Sequence, residues 1–272
     1  MKTTTLFQLP IIREPKSQVL QTVENILTRS VSVDFSGKTQ LMFTPNPEQV
    51  VMALRDHQFM KTLRQADYLL PDGIGLVWAS RLLAFFRRSS VAPISERIAG
   101  VDVVMHLLQI AKQHQQNMLI IGGRDYVGTF AGEAYEDESS LKQLDAHLFW
   151  TEGFQDKQEI LPIEEAALVT SIKRLRPSIV FVALGAPDQE QWLVDHADLL
   201  SQQQVRLGMA VGGSFDFIFH KVTRAPQFWQ SLGLEWLWRL VQQPWRRHRQ
   251  LRLLTFISLV LRELILPQRR LD

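Results

Sequence analysis

The run Ile179-Val-Phe-Val-Ala-Leu184, followed at once by Gly185-Ala-Pro187, sets the pattern of the fold. Its apolar, β-branched and aromatic side chains are typical of a strand that is buried on both faces. The glycine and proline that follow favour a turn, and 188–200 then has the spacing of a helix. This stretch therefore predicts a strand, a turn and a helix in succession.

The same succession recurs along the chain. Further apolar runs end in turns rich in Gly, Pro, Asn or Asp at 41–43, 68–70, 118–121 and 207–211. Between them, helical patterns predict helices over 48–65, 74–84, 101–115, 126–137, 161–175 and 188–200. Strands that alternate with helices predict an α/β fold with a mainly parallel sheet.

The turns after the predicted strands share one expected location. In an open α/β sheet, ligands bind outside the carboxyl ends of the strands, so the turn residues should line one crevice. The alternative is that glycine and proline only mark the turns, but five such turns together favour the crevice. The residues that we expect there are Thr44, Asn46, Asp72, Gly122, Gly185, Gln189, Gly212 and Gly213.

The composition excludes several classes of protein. The 272 residues are 46 % apolar and 21 % charged, which is typical of a globular chain and not of a disordered one. The absence of cysteine excludes disulfides, thiolate metal sites and cysteine nucleophiles, and it fits a reducing compartment. Residues 1–10 lack the pattern of a secretory signal, and no run reaches the ~18 apolar residues of a membrane span.

The charge is unevenly distributed along the chain. Residues 224–272 contain nine Arg, no Lys and three acidic residues, a net charge of +6, whereas 1–223 carry −4. This tail, which also holds four Trp, favours an anionic partner such as lipid headgroups or a phosphorylated substrate. Nucleic acid is not expected, because the chain lacks strands that interleave basic and aromatic residues.

The tail predicts two helices separated at Pro244. In the second, 246–265, Arg252, Thr255, Ser258, Arg262 and Glu263 form one polar stripe, and apolar residues cover the rest. Such a helix lies either in a membrane interface or in a protein core with basic ends. The tryptophans favour the interface, so we expect 246–266 to bind an anionic membrane surface.

Several familiar motifs are missing from the sequence. The chain has neither a GxGxxG sequence nor a Walker lysine loop, so the dinucleotide and ATP fingerprints are absent. It also has no HExxH spacing and no Asp-x-Asp pair to clamp a metal-bound diphosphate. If the protein handles a diphosphate, arginine side chains and backbone N–H groups must neutralise it.

Four polar residues each have a chemical and a structural interpretation. Asp72 fits a general base that points into the crevice, or the N-cap of the helix that follows it. Arg97 fits a phosphate ligand, or an ion pair at the surface with Glu96 or another neighbour. Thr44 could donate to a substrate or close its own turn, and Gln189 could contact a sugar or base edge or lie in solvent.

Eight short motifs, in order along the chain, resemble the WecG/TagA/CpsF family of bacterial glycosyltransferases, family 26. Each motif alone is weakly specific, but together they cover the chain from about Leu9 to Leu266. The motifs are Thr44-Pro-Asn46, Pro71-Asp-Gly-Ile-Gly75, Glu96-Arg-Ile-Ala-Gly100, Val182-Ala-Leu-Gly-Ala-Pro-Asp-Gln-Glu190, Val211-Gly-Gly-Ser-Phe-Asp216, Arg224-Ala-Pro226, Leu232-Gly-Leu-Glu-Trp-Leu-Trp-Arg239 and Gln243-Pro-Trp-Arg246.

The resemblance implies a fold and an activity. The fold would be a Rossmann-like, mainly parallel α/β sheet of the GT-E type, with a C-terminal helical appendage that docks on the membrane. The activity would be that of a hexosyltransferase, moving a sugar from a UDP-sugar to a lipid-diphosphate-linked sugar with inversion and without a metal. N-acetylmannosamine is the expected sugar and undecaprenyl-diphospho-N-acetylglucosamine the expected acceptor, at the cytoplasmic face of the cell membrane in cell-surface polysaccharide synthesis.

The resemblance also implies roles for single residues. Asp72 would be the general base for the acceptor hydroxyl, Thr44 would contact the sugar near the reaction centre, and Asn46 would support it. Arg97 and Gln189 would line the donor pocket. The arginines of the appendage that would close over the diphosphate are Arg239, Arg246 and Arg249.

The chain departs from the family pattern at a few positions. Pro47 stands where alanine is common, Asp188 where lysine is common, and His220 where glycine is usual. The segment 85–95 is longer than typical and precedes Arg97, so the choice of donor or acceptor could differ. None of these departures removes an implied catalytic group.

The sequence therefore predicts an α/β core over 1–223 and an Arg- and Trp-rich helical appendage over 224–272. Two alternatives remain open at this point. The same chemistry could use UDP-glucose or UDP-N-acetylmannosaminuronate as donor, or the chain could be a non-catalytic membrane-surface binding module. Homo-oligomers are a further expectation when no membrane covers the apolar tail.

Overall fold

The computed structural model describes residues 1–28, 37–87, 92–123, 126, 141–156, 160–231, 235–242 and 247–265. Within its helices, the side chains at 87, 230–231, 236, 239 and 247–251 are not described. The predicted helix 126–137 beyond Tyr126, the break at Pro244 and part of the segment 85–95 lie outside the described residues.

The strands of the described chain form a sheet and a separate hairpin. The hairpin pairs β1 (Thr3–Leu6) with β2 (Leu9–Ile12) in antiparallel fashion. The sheet contains β3 (Gln40–Phe43), β4 (Tyr68–Leu69), β5 (Met118–Gly122), β6 (Lys142–Asp145), β7 (Leu148–Thr151), β8 (Ile179–Ala183) and β9 (Leu207–Ala210). Their order across the sheet is β4-β3-β9-β8-β5-β7-β6.

The five predicted strands are β3, β4, β5, β8 and β9, and each runs parallel to its neighbours. The predicted α/β fold with a mainly parallel sheet is therefore confirmed. Strand β7 adds to β5 in parallel, and the edge strand β6 returns antiparallel to β7. Because the parallel strands point the same way, the turns after them meet at one edge of the sheet.

Helices cover both faces of this sheet. Along β8, Val180 and Val182 enter one hydrophobic cluster, whereas Phe181 and Ala183 enter another. All four side chains are buried. Burial on both faces explains why this strand is a continuous apolar run in the sequence and does not alternate with polar residues.

The helices of the described chain include two pairs that the sequence predicted as single helices. They are α1 (Lys16–Thr28), α2 (Pro47–Arg55), α3 (His57–Arg64), α4 (Ile74–Arg87), α5 (Gly100–Gln113), α6 (Pro162–Leu175), α7 (Asp188–Asp195), α8 (Ala197–Gln202), α9 (Ser214–Ile218), α10 (Gln227–Ser231), α11 (Glu235–Gln242) and α12 (Arg247–Ile265). The prediction over 48–65 is wrong in its middle. Asp56 has an extended backbone there, and its carboxylate accepts hydrogen bonds from the N–H groups of Gln58 and Phe59, which starts α3. The single helix predicted over 188–200 is likewise two helices, α7 and α8, which are separated at His196.

One side of the C-terminal helix α12 belongs to the hydrophobic core. The helix packs against α2 and α4. Its Phe256 and Val260 are buried in the same cluster as Val180 and Val182, and the Phe256 ring meets Phe7 edge to face at 5.4 Å. The tail that the sequence separates at residue 224 thus shares apolar packing with the preceding residues.

The other side of α12 is apolar and exposed. Its exposed side chains are Leu254, Ile257, Leu261 and Ile265, and the neighbouring α4 also exposes Trp78, Leu82, Phe85 and Phe86. Arg252, on the predicted polar stripe, pairs with Glu48 of α2 at 2.7 Å (Nη1–Oε1), and 40 % of its side chain stays exposed. None of the described helices is long and apolar enough to cross a bilayer.

Candidate active site

A cleft of about 700 Å³ lies at the carboxyl edge of the sheet. The turns after β3, β4, β8 and β9 line it, together with the first residues of α2 and α4 and parts of α11 and α12. The structure thus brings the predicted turn residues together with Arg97. Those that line the cleft are Thr44, Asn46, Asp72, Arg97, Gly185, Gln189, Gly212 and Gly213.

Gly122, expected in the crevice, is not among the residues that line the cleft. It is still paired with Ala183 at the end of β5, and its carbonyl oxygen accepts a hydrogen bond from Trp150 Nε1 at 2.9 Å. The strand therefore ends one residue later than the sequence indicated. The next residue, Gly123, is the one that lines the cleft.

Of the three tail arginines predicted to bind a diphosphate, the structure describes only the backbone of two. Arg239 lies in α11 and Arg249 in α12, but neither side chain is described, and Arg246 lies outside the described residues. Their contact with a diphosphate stays a prediction. The helices that carry Arg239 and Arg249 also contribute Leu240, Arg252 and Leu253 to the lining of the cleft.

Asp72 and Arg97 form a charged pair in the cleft. Arg97 donates to Asp72 Oδ1 from Nε at 3.3 Å and from Nη2 at 3.1 Å, and it donates from Nη1 to Glu235 Oε2 at 2.7 Å. The pairing of Arg97 with Glu96, considered from the sequence, is not formed; Glu96 accepts from the backbone N–H of Lys16 instead. Asp72 Oδ2 has no hydrogen-bond partner among the described residues.

The surroundings of Arg97 keep it charged. Burial of the guanidinium disfavours the charged form, but the nearby carboxylates of Asp72 and Glu235 outweigh this, so the pKa of Arg97 is raised above its usual value. Arg97 in turn holds one oxygen of Asp72. The other oxygen remains available to accept a proton from a ligand in the cleft.

Thr44 and Asn46 are held by the turn after β3. Thr44 Oγ1 lies 3.4 Å from the Ala210 carbonyl oxygen, and a Cβ on Gly100 would come within 3.3 Å of Thr44 Cγ2, so the start of α5 fits closely against it. Asn46 caps α2, because its Oδ1 accepts from Gln49 N at 3.0 Å. Its Nδ2 group has no partner within the described part of the chain, so a ligand could use it.

Gln189 connects the turns after two strands, and it does not lie in solvent. Its side-chain Oε1 accepts from the backbone N–H groups of Gly185 at 3.2 Å and Gly212 at 3.1 Å. Its Nε2 donates to Glu190 Oε1 at 2.8 Å. Much of its amide is therefore committed to the protein, which leaves one N–H of Nε2 for a ligand.

Sequence reasoning missed the residue that links the tail to the cleft. Glu235, at the start of α11, bonds Arg97 and also lies near Arg224 (Oε1–Nε 3.7 Å). Arg224 continues the chain of charges to Asp102 at 2.7 Å, which also accepts from Lys16 at 2.7 Å. Only the motif Leu232-Gly-Leu-Glu-Trp-Leu-Trp-Arg239 drew attention to this position.

Two cations decide the ionisation of Asp102 in this chain of charges. Burial alone would raise its pKa, but the hydrogen bonds and charges of Lys16 and Arg224 outweigh burial and lower it. Asp102 is therefore a carboxylate at neutral pH. It anchors Arg224 to α5, and Arg224 lies beside Glu235 of the tail.

Three further charged residues of the cleft were not assigned from the sequence. Asp216, at the start of α9, is buried and accepts from the Tyr126 hydroxyl at 3.1 Å. Glu48 and Arg252 form the ion pair between α2 and α12. Asp216 ends one of the family-like motifs and so had a signal, whereas Glu48 and Arg252 are brought to the cleft by helix packing.

The described lining of the cleft contains four carboxylates and two guanidinium groups. The carboxylates are Glu48, Asp72, Asp216 and Glu235, and the guanidinium groups are Arg97 and Arg252. A diphosphate bound here would need further cations, and Arg239 and Arg249, whose side chains are not described, lie on helices that reach the cleft. Among the described residues, no three His, Asp or Glu side chains come together to hold a metal ion.

The chain matches one family model over most of its length and is similar to two individual enzymes along most of their length. The sequence model of the glycosyl transferase WecG/TagA/CpsF family matches residues 5–270. An N-acetylglucosaminyldiphosphoundecaprenol N-acetyl-beta-D-mannosaminyltransferase of Bacillus subtilis (strain 168) is 28 % identical over 266 residues, covering 97 % of this chain and 93 % of the relative. A protein of the same name from Staphylococcus aureus (strain MRSA252) is 29 % identical over 229 residues, covering 84 % and 81 %.

The family match extends over nearly the whole chain and includes the tail. It also includes each turn that lines the cleft, from Thr44 to Gly213, and the helix that carries Glu235. The resemblance drawn from eight short motifs is thereby confirmed. With its parallel α/β sheet, its cleft at the carboxyl edge and this match, the chain belongs to the WecG/TagA/CpsF family of glycosyl transferases.

Proposed function

We propose that this glycosyltransferase moves N-acetylmannosamine from its UDP conjugate to N-acetylglucosaminyl-diphosphoundecaprenol, or to a similar lipid-linked acceptor. The names of both relatives support this acceptor and this sugar. They favour it over UDP-glucose or UDP-N-acetylmannosaminuronate as donor, and over a non-catalytic binding module. The observation in this chain that carries the proposal is the carboxylate of Asp72, held in the cleft by Arg97 with one oxygen left for a ligand.

The proposed reaction is a single in-line displacement. The acceptor hydroxyl oxygen bonds to the anomeric carbon of the donor while the bond from that carbon to the UDP oxygen breaks. The proton of the hydroxyl passes to Asp72 Oδ2, and the electron pair of the broken bond leaves with UDP. Attack from the face opposite UDP inverts the anomeric configuration. Thr44 and Asn46, in the turn beside Asp72, would contact the sugar.

The negative charge that develops on UDP must be stabilised. We propose that arginines do this without a metal ion, because guanidinium groups bind phosphate oxygens through charge-assisted hydrogen bonds. Arg97 and Arg252 already line the cleft. Arg239, Arg246 and Arg249 would supply the remaining positive charge when the tail closes over the donor.

The tail would also bring the active site to its lipid substrate. The exposed side of α12 is apolar, and its first turn contains the basic residues Arg247 and Arg249. Such a helix fits a bilayer interface that contains anionic lipids. We propose that 246–266 binds this surface and that the protein is peripheral on the inner face of the bacterial cell membrane.

A donor panel tests the proposed function. UDP release would be measured with UDP-N-acetylmannosamine, UDP-glucose and UDP-N-acetylmannosaminuronate, with and without a short-chain lipid-diphospho-N-acetylglucosamine acceptor. We expect acceptor-dependent release with UDP-N-acetylmannosamine that EDTA does not change. Release with another donor instead would show that the proposed donor is wrong and identify the sugar that is transferred. Loss of activity in EDTA that added metal restores would contradict the metal-free mechanism, and a folded but inactive protein on liposomes would contradict the proposal as a whole.

A further inference from the structure

Behind the cleft lies a carboxyl group that the proposed mechanism does not use. Glu190, in the first turn of α7, has a relative exposure of 1 % and is not among the residues that line the cleft. No cation pairs with it in the described structure. Burial of a carboxyl group without a cationic partner costs free energy, so its contacts call for an explanation.

One oxygen of Glu190 receives two side-chain amides. Gln49 Nε2 donates to Glu190 Oε1 at 3.0 Å, and Gln189 Nε2 donates to the same oxygen at 2.8 Å. A carboxyl oxygen that carries no proton can only accept hydrogen bonds. Both amides must therefore turn their nitrogen toward Glu190 and their oxygen away from it.

The two amide oxygens hold three turns of the cleft. Gln189 Oε1 accepts from Gly185 N and Gly212 N, in the turns after β8 and β9. Gln49 Oε1 accepts from Asn46 N at 3.1 Å, in the turn after β3. If either amide were reversed, its NH₂ group would face backbone N–H groups, and these buried donors would lose their acceptor.

We propose that Glu190 is a positioning residue of the active site, which fixes the orientation of the Gln49 and Gln189 amides and so holds the turns after β3, β8 and β9 in their binding geometry. Its role rests on the proposed function, since these turns would contact the donor. It acts only through the two glutamines. What it supplies is a hydrogen-bond acceptor at a fixed distance, and its negative charge is not required.

The ionisation of Glu190 agrees with this role. Burial raises its pKa to about 7, against the opposing effect of the hydrogen bonds from Gln189 and Gln49, and nearby Asp188 raises it further. In the neutral form a proton can reside on Oε2, which has no partner among the described residues. Oε1 then remains an acceptor, so both protonation states can hold the two amides.

Two substitutions of Glu190 distinguish the effect of side-chain length from the effect of charge. Glu190→Gln keeps an acceptor oxygen at the same distance and removes the charge. Glu190→Asp keeps the charge but shortens the side chain, which withdraws the acceptor from both amides. Asp188→Asn, at the exposed first residue of α7 and two residues before Glu190, is the matched control for removal of an acidic residue. All would be made in the full chain, with thermal unfolding to verify that each variant is folded.

The experiment has a kinetic and a structural measurement. We expect Glu190→Asp to raise the KM for the donor about tenfold, as the loss of a buried hydrogen bond implies, with a smaller change in kcat. Glu190→Gln and Asp188→Asn should stay within about twofold of wild type. By NMR, the backbone amide protons of Gly185 and Gly212 should exchange with solvent about tenfold faster in Glu190→Asp, but not in Glu190→Gln.

Either of two results would overturn the positioning role. One is a Glu190→Asp protein with wild-type KM and wild-type exchange. The other is a Glu190→Gln protein that is impaired as much as Glu190→Asp, which would make the charge essential. If the wild-type protein transfers no sugar but the exchange rates change as expected, the proposed function fails while the positioning of the turns stands.

Discussion

Pro47 and Gly73 show how closely the turns of the cleft pack against each other. A Cβ on Gly73 would lie 2.6 Å from Pro47 Cδ, and one on Gly75 would lie 2.8 Å from Pro47 Cγ. Distances this short require either the ring or the backbone to move. Because Gly73 follows Asp72, its displacement would move the carboxylate as well.

We therefore expect Gly73→Ala to destabilise the protein by about 1–3 kcal/mol, the usual effect of overpacking. Urea unfolding measures this change. Combining it with Pro47→Ala removes the opposing ring and should restore most of the loss, with Pro47→Ala alone as the control. Equal losses in the single and double variants would show that the contact with Pro47 is not the cause.

Glu190 also predicts how stability changes with pH. Its pKa is raised to about 7 in the folded protein from a usual value near 4.5, so the folded state binds the proton more tightly than the unfolded state. This contribution to the free energy of unfolding is complete below pH 4.5 and is lost as the pH rises through 7. The negative charge of nearby Asp188 also raises the pKa of Glu190.

Glu190→Gln should remove this part of the pH dependence. We expect the stability of the variant relative to wild type to be higher at pH 8 than at pH 5, as measured by urea unfolding at both values. Asp198→Asn, exposed on α8, serves as the control. A difference between variant and wild type that is the same at the two pH values would contradict the raised pKa.

At the scale of secondary structure, the sequence predicts five strands that continuous apolar runs mark. It misses β1, β2, β6 and β7, although β7 contains the apolar run Leu148-Phe-Trp150. The hairpin of β1 and β2 turns at Phe7 and Gln8, which have φ of 50° and 66°. Neither is the Gly or Asn that usually marks such a turn, so the sequence gives no warning of it. The edge strand β6 contains Lys142, Gln143 and Asp145 and lacks an apolar run.

The residues of the candidate site also divide into those that the sequence predicts and those that only the structure reveals. Turn residues such as Asp72 and Gly185 could be predicted, because the end of a parallel strand fixes where the next residues lie. Glu235 and Arg252 come from the tail, more than 130 residues after Asp72 in the sequence. Only the packing of α11 and α12 brings them to the cleft, and no local pattern contains that information.

The exposed side of α12 predicts binding to anionic membranes. Replacing Ile257 and Leu261 by serine should weaken binding to vesicles that contain anionic lipids by about tenfold, because apolar area buried in the interface is lost. Cosedimentation with such vesicles measures this, and added salt should weaken binding of the wild type as well. The control replaces Leu161 and Ile163, which are also exposed, at the start of α6. Equal effects of the two pairs would contradict a specific role of α12.

At the scale of the whole molecule, a chain of charges connects the tail to Asp72, the proposed general base. It runs from Asp72 through Arg97 and Glu235 to Arg224 and Asp102. Removal of 224–272 is expected to leave a soluble core with little activity. It would also uncover the apolar surface under Phe256, so a substitution within the chain of charges is a cleaner test.

Glu235→Gln provides that test in the full chain. It weakens the hold of α11 on Arg97 and should lower kcat about tenfold, of the order of one charge-assisted hydrogen bond, while the protein remains folded. Glu263→Gln, exposed on α12, is the control. Initial rates of UDP release measure the effect. Wild-type rates in Glu235→Gln would mean that this link does not position Arg97.

The most direct measurement of the central claim compares Asp72→Asn with wild type in acceptor-dependent release of UDP from UDP-N-acetylmannosamine. Asparagine preserves the shape of the side chain but cannot take the proton of the acceptor hydroxyl, so we expect kcat to fall by about 10²–10⁴. Asp198→Asn, exposed on α8 away from the cleft, should retain wild-type activity. A folded Asp72→Asn protein that transfers sugar at the wild-type rate would contradict the assignment of Asp72 as the general base.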